Sequence, residues 1–417
     1  MSNKLKGAVK DRSKAQVLLG AAFIMAISAI GPGFLTQTAR FTAEHGPNHG
    51  FIILISLLLG LGVQLNVWRV IGISGMRGQD IANKIFPGLG WFMAFLIVLG
   101  GFAFNIGNVG GSALGLNAML GVPQEWGYWI GGGLAIFVFI SKSRTIMDWV
   151  MKILGVVMIL IVIGVMFRTQ PPLGEAALRT VVPQFYDGIA AAWFPIMTYL
   201  GGTVGGYITF SGAHRLLDSN ISGKENLKKI TTSSVQGISI ATLMRIVLFL
   251  AIFGVVVAGY NIMAPDPNHI DNPAARAFLH GAGMIGYRFF GLVLLAAGLT
   301  SIIGAAYTSV TFMKTLFKVV EKYERQFIIG MIVISTLVMW LVGQPANLLV
   351  VVGFLNSLIL PLTLTVVLIG SRKKDVVGTE YKHPIWLSIF GIVIILATIY
   401  FIIFGGGLDQ IVNLMRG

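Results

Sequence analysis

Long apolar stretches separated by short polar segments run through the whole chain. They fall near residues 15–45, 50–73, 89–119, 126–142, 146–168, 187–213, 233–260, 284–313, 327–342, 345–370 and 384–406. Most hold about 20 residues or more, which is the length a helix needs to cross the roughly 30 Å hydrocarbon layer of a bilayer. The pattern therefore predicts an all-α integral membrane protein with 11 transmembrane helices, in a single membrane domain over residues 1–417.

Residues that break helices interrupt two of these stretches. Gly31-Pro32-Gly33 interrupts the first stretch, and the glycine-rich run 201–206 interrupts the sixth. Proline lacks an N–H donor, and glycine gains conformational entropy on unwinding. Backbone groups freed in this way are tolerated in a membrane only where they face protein or a water-filled cavity.

The two broken helices each open a group of five. Residues 15–168 then form a first five-helix repeat and residues 187–370 a second, while residues 384–406 add an eleventh helix. An odd number of helices in each repeat makes the two repeats opposite in orientation. Broken helices at corresponding places in inverted repeats are typical of secondary transporters, whose substrate site lies near the midplane between the repeats.

Composition and charge support a membrane protein and indicate its orientation. The chain is 55% hydrophobic and 11% charged, and its net charge is +14. Lysine and arginine concentrate in alternate loops, whereas intervening loops such as 169–186 and 261–283 hold few. Because such residues favour the cytoplasm, we expect a multi-pass plasma-membrane protein with a cytoplasmic N-terminus and an extracytoplasmic C-terminus. The basic residues of the predicted cytoplasmic loops are Arg77, Lys84, Lys142, Arg144, Arg215, Lys224, Lys228, Lys229, Lys314, Lys318, Lys322, Arg325, Arg372, Lys373, Lys374 and Lys382.

Several classes of function lack the residues they need. The chain has no cysteine, and it shows neither a nucleophile–base constellation nor a Walker-type phosphate loop. We therefore expect no enzyme activity, no catalytic residue, no resident metal and no cofactor. In a membrane protein the positive charge belongs to the loops, so we expect the lipid bilayer and a small-molecule substrate as partners, no nucleic acid, and a monomer.

Polar and small residues at the two breaks form the candidate substrate site. Unwinding at the first break exposes the N-terminus of the next half-helix, whose free N–H groups attract anions. Asn105 and Asn108 are three residues apart and share one helix face. The candidate substrate-binding residues are Gly31, Pro32, Gly33, Phe34, Thr36, Gln37, Thr38, Asn105, Asn108, Gly202, Thr203, Gly205, Gly206 and Tyr207.

Each of these features also has a purely structural interpretation. The first break is then a proline kink, the glycine run provides close helix packing, and the two asparagines hold helices together by hydrogen bonds. Beyond the breaks, Arg40, Glu44, His45 and His49 predict a solvated vestibule, in which Arg40 is placed to attract an anion. His214, Arg215 and Asp218, at the end of the sixth stretch, predict an inner gate or a cytoplasmic anchor.

In five segments the chain resembles the NRAMP family of divalent-metal transporters, which have the leucine-transporter fold. Five segments carry the resemblance: Leu19-Gly20-Ala21 through Ile30-Gly31-Pro32-Gly33-Phe34, Asn105-Ile106-Gly107-Asn108 through Leu116-Asn117 to Gly121-Val122-Pro123, Gly201 through Ile208, Gly298-Leu299-Thr300-Ser301, and Ser357-Leu358-Ile359-Leu360-Pro361. The resemblance implies the fold and transport by alternating access.

The residues that differ from the family pattern concern the substrate. The family's metal-binding aspartate, asparagine and methionine fall on Gly31, Phe34 and Gly205, and its first histidine of helix 6 falls on Tyr207. The acidic pair linked to proton movement falls on Asn105 and Asn108. A divalent ion needs carboxylate, imidazole or thioether ligands to replace its water shell.

The sequence therefore predicts a secondary transporter, a symporter, for a small organic solute such as an amino acid or a small carboxylate. The alternative is a transporter of divalent metal ions (Mn²⁺, Mg²⁺ or Fe²⁺) with an altered site. The sequence leaves open whether the coupling ion is Na⁺ or H⁺.

Overall fold

Every regular element in the part of the chain that is described is a helix. The computed structural model describes residues 29–141, 159–264, 272–314 and 317–416. The helices are α1 (Pro32–His45), α2 (His49–Ser74), α3 (Gly78–Ile85), α4 (Leu89–Leu120), α5 (Gln124–Ile140), α6 (Ile159–Thr169), α7 (Leu173–Val181), α8 (Trp193–Thr203), α9 (Ile208–Asp218), α10 (Leu227–Val257), α11 (Pro273–Lys314), α12 (Lys318–Lys322), α13 (Glu324–Val342), α14 (Pro345–Ser357), α15 (Leu360–Gly370), α16 (Lys374–Val377), α17 (Ile385–Phe404) and α18 (Gly407–Arg416).

The helices agree with an integral membrane protein. Within the described ranges, seven helical segments are long and apolar enough to cross a membrane. The predicted stretch 187–213 is divided between α8 and α9, and α5 is slightly too short to be counted among the seven. The first half of predicted helix 1 and most of predicted helix 5 lie outside the described residues, so the total of 11 and the internal repeat stay predictions.

Two helix breaks lie where the sequence predicts them, and a third was not predicted. Helix α1 begins at Pro32, in the position where proline's missing N–H costs nothing. Between α8 and α9, Gly206 has a positive φ of 52°, which glycine adopts without steric cost. The third break separates α14 from α15 at residues 358–359, and Pro361 lies in the first turn of the helix that follows.

The predicted outer loop 261–283 contains the start of a long helix. The segment 261–283 was expected to be an outer loop, but α11 already begins at Pro273. The side chain of Asn272 accepts the backbone N–H of Ala274 at 2.9 Å, which is the interaction that starts a helix in place of a loop. Gly283, with a φ of 69°, then kinks α11 near the predicted start of the membrane span.

Small residues bring α4 and α11 close together. A Cβ atom at Gly115 would lie 2.4 Å from the backbone nitrogen of Leu295, and one at Gly298 would lie 2.8 Å from the Cβ of Ser112. Close approach through small residues is a common way for helices to associate in membranes. The pairing places Ser301 of α11 beside the first break.

Candidate substrate site at the broken helices

The first break presents the N-terminus of α1 to the interior of the bundle. Gly31 has extended backbone angles, and no side chain caps the helix there. Pro32 is packed tightly on α4, because a Cβ atom at Gly111 would lie only 2.1 Å from the Cβ of Pro32. The start of α1 is therefore held against α4 with its terminal N–H groups uncapped by any side chain.

Neutral polar side chains surround this helix start. A Cβ atom at Gly31 would lie 3.0 Å from Ser301 Oγ and 3.6 Å from Asn108 Oδ1. Asn105, Asn108 and Ser301 are all buried. Among the described residues, Ser301 Oγ, Asn108 Nδ2 and both amide atoms of Asn105 have no hydrogen-bond partner. Because buried polar groups are rarely left unpaired, this cluster has free capacity for a polar ligand.

Gln37 joins three elements one turn further along α1. Its Nε2 donates to the backbone oxygen of Leu349 in α14 at 2.8 Å. A Cβ atom at Gly202 of α8 would lie 3.3 Å from Gln37 Oε1, and one at Gly33 would lie 3.5 Å from Gln37 Nε2. Gly33, Gln37 and Gly202 therefore meet at a junction of α1, α8 and α14.

The second break is packed rather than open. A Cβ atom at Gly205 would lie 2.8 Å from the backbone oxygen of Asn356, and one at Gly206 would lie 2.1 Å from Asn356 Oδ1. Tyr207 is buried and meets the ring of Phe104 edge-on, with centroids 5.8 Å apart. These three predicted site residues contact α14 and α4, and the close-packing interpretation of the glycine run applies to Gly205 and Gly206.

A buried arginine lies close to both breaks. The guanidinium carbon of Arg245 lies 4.2 Å from the ring centroid of Phe34 and 3.7 Å from that of Tyr199. Arg245 and Thr203 also line one small cleft of about 20 Å³ between α2, α8 and α10. Arg245 therefore contacts Phe34 of the first break and shares a cleft with Thr203 of the second. It is not among the site residues that the sequence predicted.

A vestibule lies at the end of the bundle that the charge pattern predicts to be outer. A cavity of about 420 Å³ is lined by Thr36, Arg40, Arg276 and Asn347, among other residues. Arg40 pairs with Glu44 at 2.7 Å and donates to Asn347 Oδ1 at 3.1 Å. Of the predicted site residues, Thr36 faces this vestibule.

The prediction that His49 belongs to a solvated vestibule is wrong. His49 is completely buried. One ring nitrogen is 2.7 Å from Thr42 Oγ1 and the other is 2.6 Å from the hydroxyl of Tyr199. Thr38, a predicted site residue on the same helix as Thr42, donates its hydroxyl to the backbone oxygen of Phe34 within α1 at 2.7 Å. The turn between α1 and α2 folds His49 inward, and sequence position gave no sign of this.

Contacts between α3 and α9 close the predicted inner end of the bundle. Arg77 and Asp218 form an ion pair at 2.7 Å, and the backbone N–H of Gly78 donates to His214 Nε2 at 3.2 Å. A Cβ atom at Gly78 would lie 2.6 Å from the ring of Phe210. Of the predicted gate residues, His214 and Asp218 are therefore engaged and Arg215 is exposed. The vestibule at the other end reaches as far as Thr36, which is itself buried.

Two residues of the site were missed, and each had a signal in the sequence. Arg245 is a single charge inside the long apolar stretch 233–260, and a charge at such a depth is a functional candidate by default. Ser301 ends the segment that resembles the family's eighth helix. Only the packing of α11 on α4 places it beside Gly31.

Comparison with known proteins identifies the family. The profile described as natural resistance-associated macrophage protein-like (Nramp) matches residues 22–404. The chain belongs to the Nramp family. Its fold is therefore that of a membrane transporter, as the resemblance predicted.

Relatives of this Nramp protein fall into two groups. It is 50% identical over 399 residues to the uncharacterized membrane protein YcsG of Bacillus subtilis, covering 95% of each chain. It is 22% identical to the divalent metal cation transporter MntH of Klebsiella pneumoniae, covering 91% of each chain. Proteins named as metal transporters are therefore distant relatives.

Solved structures support the fold. The manganese transporter of Eremococcus coleocola matches with a TM-score of 0.69 and 16% identity, covering 97% of this chain and 92% of that one. MhsT, solved in complex with L-phenylalanine, matches with a TM-score of 0.63 and 17% identity, covering 91% of this chain and 97% of that one. At these identities the likeness concerns the fold alone, which is that of leucine-transporter-like proteins.

Proposed function

We propose that this Nramp protein is a secondary transporter of a small organic solute that carries a carboxylate, such as an amino acid or a small organic acid. One observation carries the proposal. The uncapped start of α1 lies beside Asn108 and Ser301, whose polar atoms have no partner among the described residues. Helix N-termini bind anions, and amide and hydroxyl groups add hydrogen-bond donors.

The same cluster is poorly suited to a bare divalent cation. Its side chains are neutral amides and a hydroxyl, and a helix N-terminus carries a partial positive charge. Within the described ranges, no group of three or more histidine, aspartate or glutamate residues is placed to hold a metal ion. Removing water from a doubly charged ion beside neutral groups alone is very costly.

The fold accommodates organic ligands in a distant protein. MhsT, which has the same architecture, was solved with L-phenylalanine. Transport by alternating access requires the two ends of the path to open in turn. The engaged contacts between α3 and α9 and the open vestibule beside α1 are consistent with one end closed and the other accessible.

Transport of a divalent metal ion is the second candidate, because the distant relatives named MntH are divalent metal cation transporters. The two candidates predict opposite ligand preferences. In a thermal-unfolding assay on purified protein, we expect amino or organic acids to raise the melting temperature and Mn²⁺ or Mg²⁺ to leave it unchanged. A ligand at 100 times its dissociation constant stabilises the native state by about 2.7 kcal/mol.

Uptake into proteoliposomes completes the test. We expect an acid that raises the melting temperature to be taken up against an imposed Na⁺ or H⁺ gradient, and the gradient that drives uptake identifies the coupling ion. Saturable Mn²⁺ uptake that is abolished by Gly31→Leu would contradict the proposal and favour the metal candidate.

A further inference from the structure

Arg245 is a buried cation that forms no ion pair with any of the described residues. Its side chain lies in α10, and only 5% of the residue is exposed. The ion pairs found among the described residues do not include it. A charge in a membrane interior is expensive, and such residues are usually paired or serve a function.

The aromatic rings beside Arg245 stabilise its charge but leave two of its nitrogen donors without a hydrogen-bond acceptor among the described residues. The rings of Phe34 and Tyr199 lie within 4.2 Å of the guanidinium carbon and stabilise a positive charge through their faces. Ring faces are weak substitutes for hydrogen-bond acceptors. Among the described residues, Nε and Nη2 of Arg245 have no hydrogen-bond partner.

These two nitrogens form one edge of the guanidinium group. Nε–H and one N–H of Nη2 point in parallel, and this edge is complementary to the two oxygens of a carboxylate. Bidentate binding fixes the orientation of the carboxylate as well as its charge. The unpartnered atoms are therefore those that a carboxylate would engage.

Arg245 lies next to both broken helices. Phe34 belongs to the first turn of α1, and Thr203 is the last residue of α8. The cleft beside Arg245 measures about 20 Å³, which is room for about one water molecule. A carboxylate therefore needs the surrounding helices to move before it can reach this edge, and alternating access moves one helix bundle against the other.

We propose that Arg245 binds the carboxylate of the transported solute and so makes the protein selective for acids over their neutral analogues. This inference rests on the function proposed above. Phe34 lies in the first turn of α1 and contacts Arg245, so in this proposal Arg245 and the uncapped N-terminus of α1 bind the same carboxylate together. Phe34 and Tyr199 hold the guanidinium in position.

Matched pairs of acids and amides test this role. Lactate and lactamide, alanine and alaninamide, and proline and prolinamide differ in the carboxylate alone. We expect at least one acid to raise the melting temperature of the purified wild-type protein and its amide to have no effect. In R245Q, the affinity for that acid should fall at least tenfold.

Two further variants separate recognition from folding. R69Q removes another arginine of the membrane region, whose Nη1 donates to Thr231 Oγ1 at 2.9 Å, and it should bind the acid within twofold of wild type. R245K keeps the charge but lacks the bidentate edge, so it should fold and bind the acid more weakly than wild type. If R245Q does not fold, the acid affinity of R245K is compared with that of R69Q, and only R245K should bind the acid more weakly than wild type.

The outcomes that overturn the inference differ from those that overturn the proposed function. Equal acid affinity in wild type, R245Q and R245K would remove Arg245 from the site and leave the proposed function standing. Failure of every acid to bind the wild type would overturn both. If potassium chloride alone stabilises wild type but not R245Q, the anion is inorganic and the assignment to the solute is overturned.

Discussion

Replacing Asn108 with leucine should change stability and affinity in opposite directions. Leucine has the same number of side-chain heavy atoms as asparagine in the same branched arrangement, so it can occupy the same place between α4, α11 and the start of α1. Asn108 Nδ2 has no hydrogen-bond partner among the described residues. A buried donor of this kind costs about 1–3 kcal/mol, so Asn108→Leu should leave the melting temperature unchanged or raise it.

The effect on binding follows from the ligand proposed. Asn108 Oδ1 lies 3.6 Å from the Cβ position of Gly31, so the amide is adjacent to the helix N-terminus that would hold a carboxylate. A hydrogen bond to a charged group contributes about 1.5–3 kcal/mol. Its loss should weaken acid binding roughly 10- to 150-fold, since each 1.4 kcal/mol is a factor of ten.

A second asparagine on the same helix provides the control. Asn117 Nδ2 donates to the backbone oxygen of Val122 at 3.1 Å, which closes the end of α4. Asn117→Leu should lower the melting temperature and leave the affinity of the folded fraction unchanged. Both quantities come from thermal unfolding with and without the acid. If Asn108→Leu behaves like Asn117→Leu, Asn108 holds helices together and is not part of the site.

Three further results are expected. Gly201→Ala should prevent stable folding, because the new Cβ atom would lie 1.8 Å from the backbone oxygen of Gly353. In the neighbouring variant Gly202→Ala, the new Cβ atom would meet only the side chain of Gln37, with Oε1 at 3.3 Å, so the melting temperature should fall slightly. Similar losses of stability in both variants would refute the close packing of α8 on α14. His383 lies just before α17, and burial, aided by Arg69 and Arg372, lowers its pKa to about 4. Its contribution to the free energy of unfolding should therefore be complete above pH 6.5 and decline towards pH 4, because the unfolded state binds the proton over that range. His383→Gln should show a smaller decline between melting temperatures measured at pH 7 and pH 4.5, and an identical decline would exclude this histidine as its source. Mn²⁺ at micromolar concentration should leave the melting temperature unchanged, and a saturable increase would contradict the neutral donor set.

Physical rules that act locally determined much of the fold from the sequence. Twenty or so consecutive apolar residues predict a membrane span in any context, and glycine and proline interrupt a helix through their own backbone properties. The breaks at Gly31 and at 201–206 were therefore predictable. The family resemblance supplied the way in which such helices assemble, and the Nramp profile confirmed the family.

The remaining features depend on contacts between residues far apart in the chain. Tertiary packing alone decides that Gly205 and Gly206 face Asn356, that His49 turns inward to Tyr199, and that Ser301 lies beside Gly31. A glycine permits either a binding cavity or close helix packing, and its neighbours settle which one forms.

The sequence by itself determined a hydrophobic, helical transporter scaffold with neutral polar residues around its first break. The three-dimensional arrangement decided which polar groups lie beside that break and placed Arg245 close to it. A lone arginine in an apolar helix signals function, but only the position of α10 against α1 and α8 shows that its charge lies between Phe34 and Tyr199. The physical reason is that local propensities act over a few residues, whereas a binding site is the meeting of side chains from helices that only folding brings together.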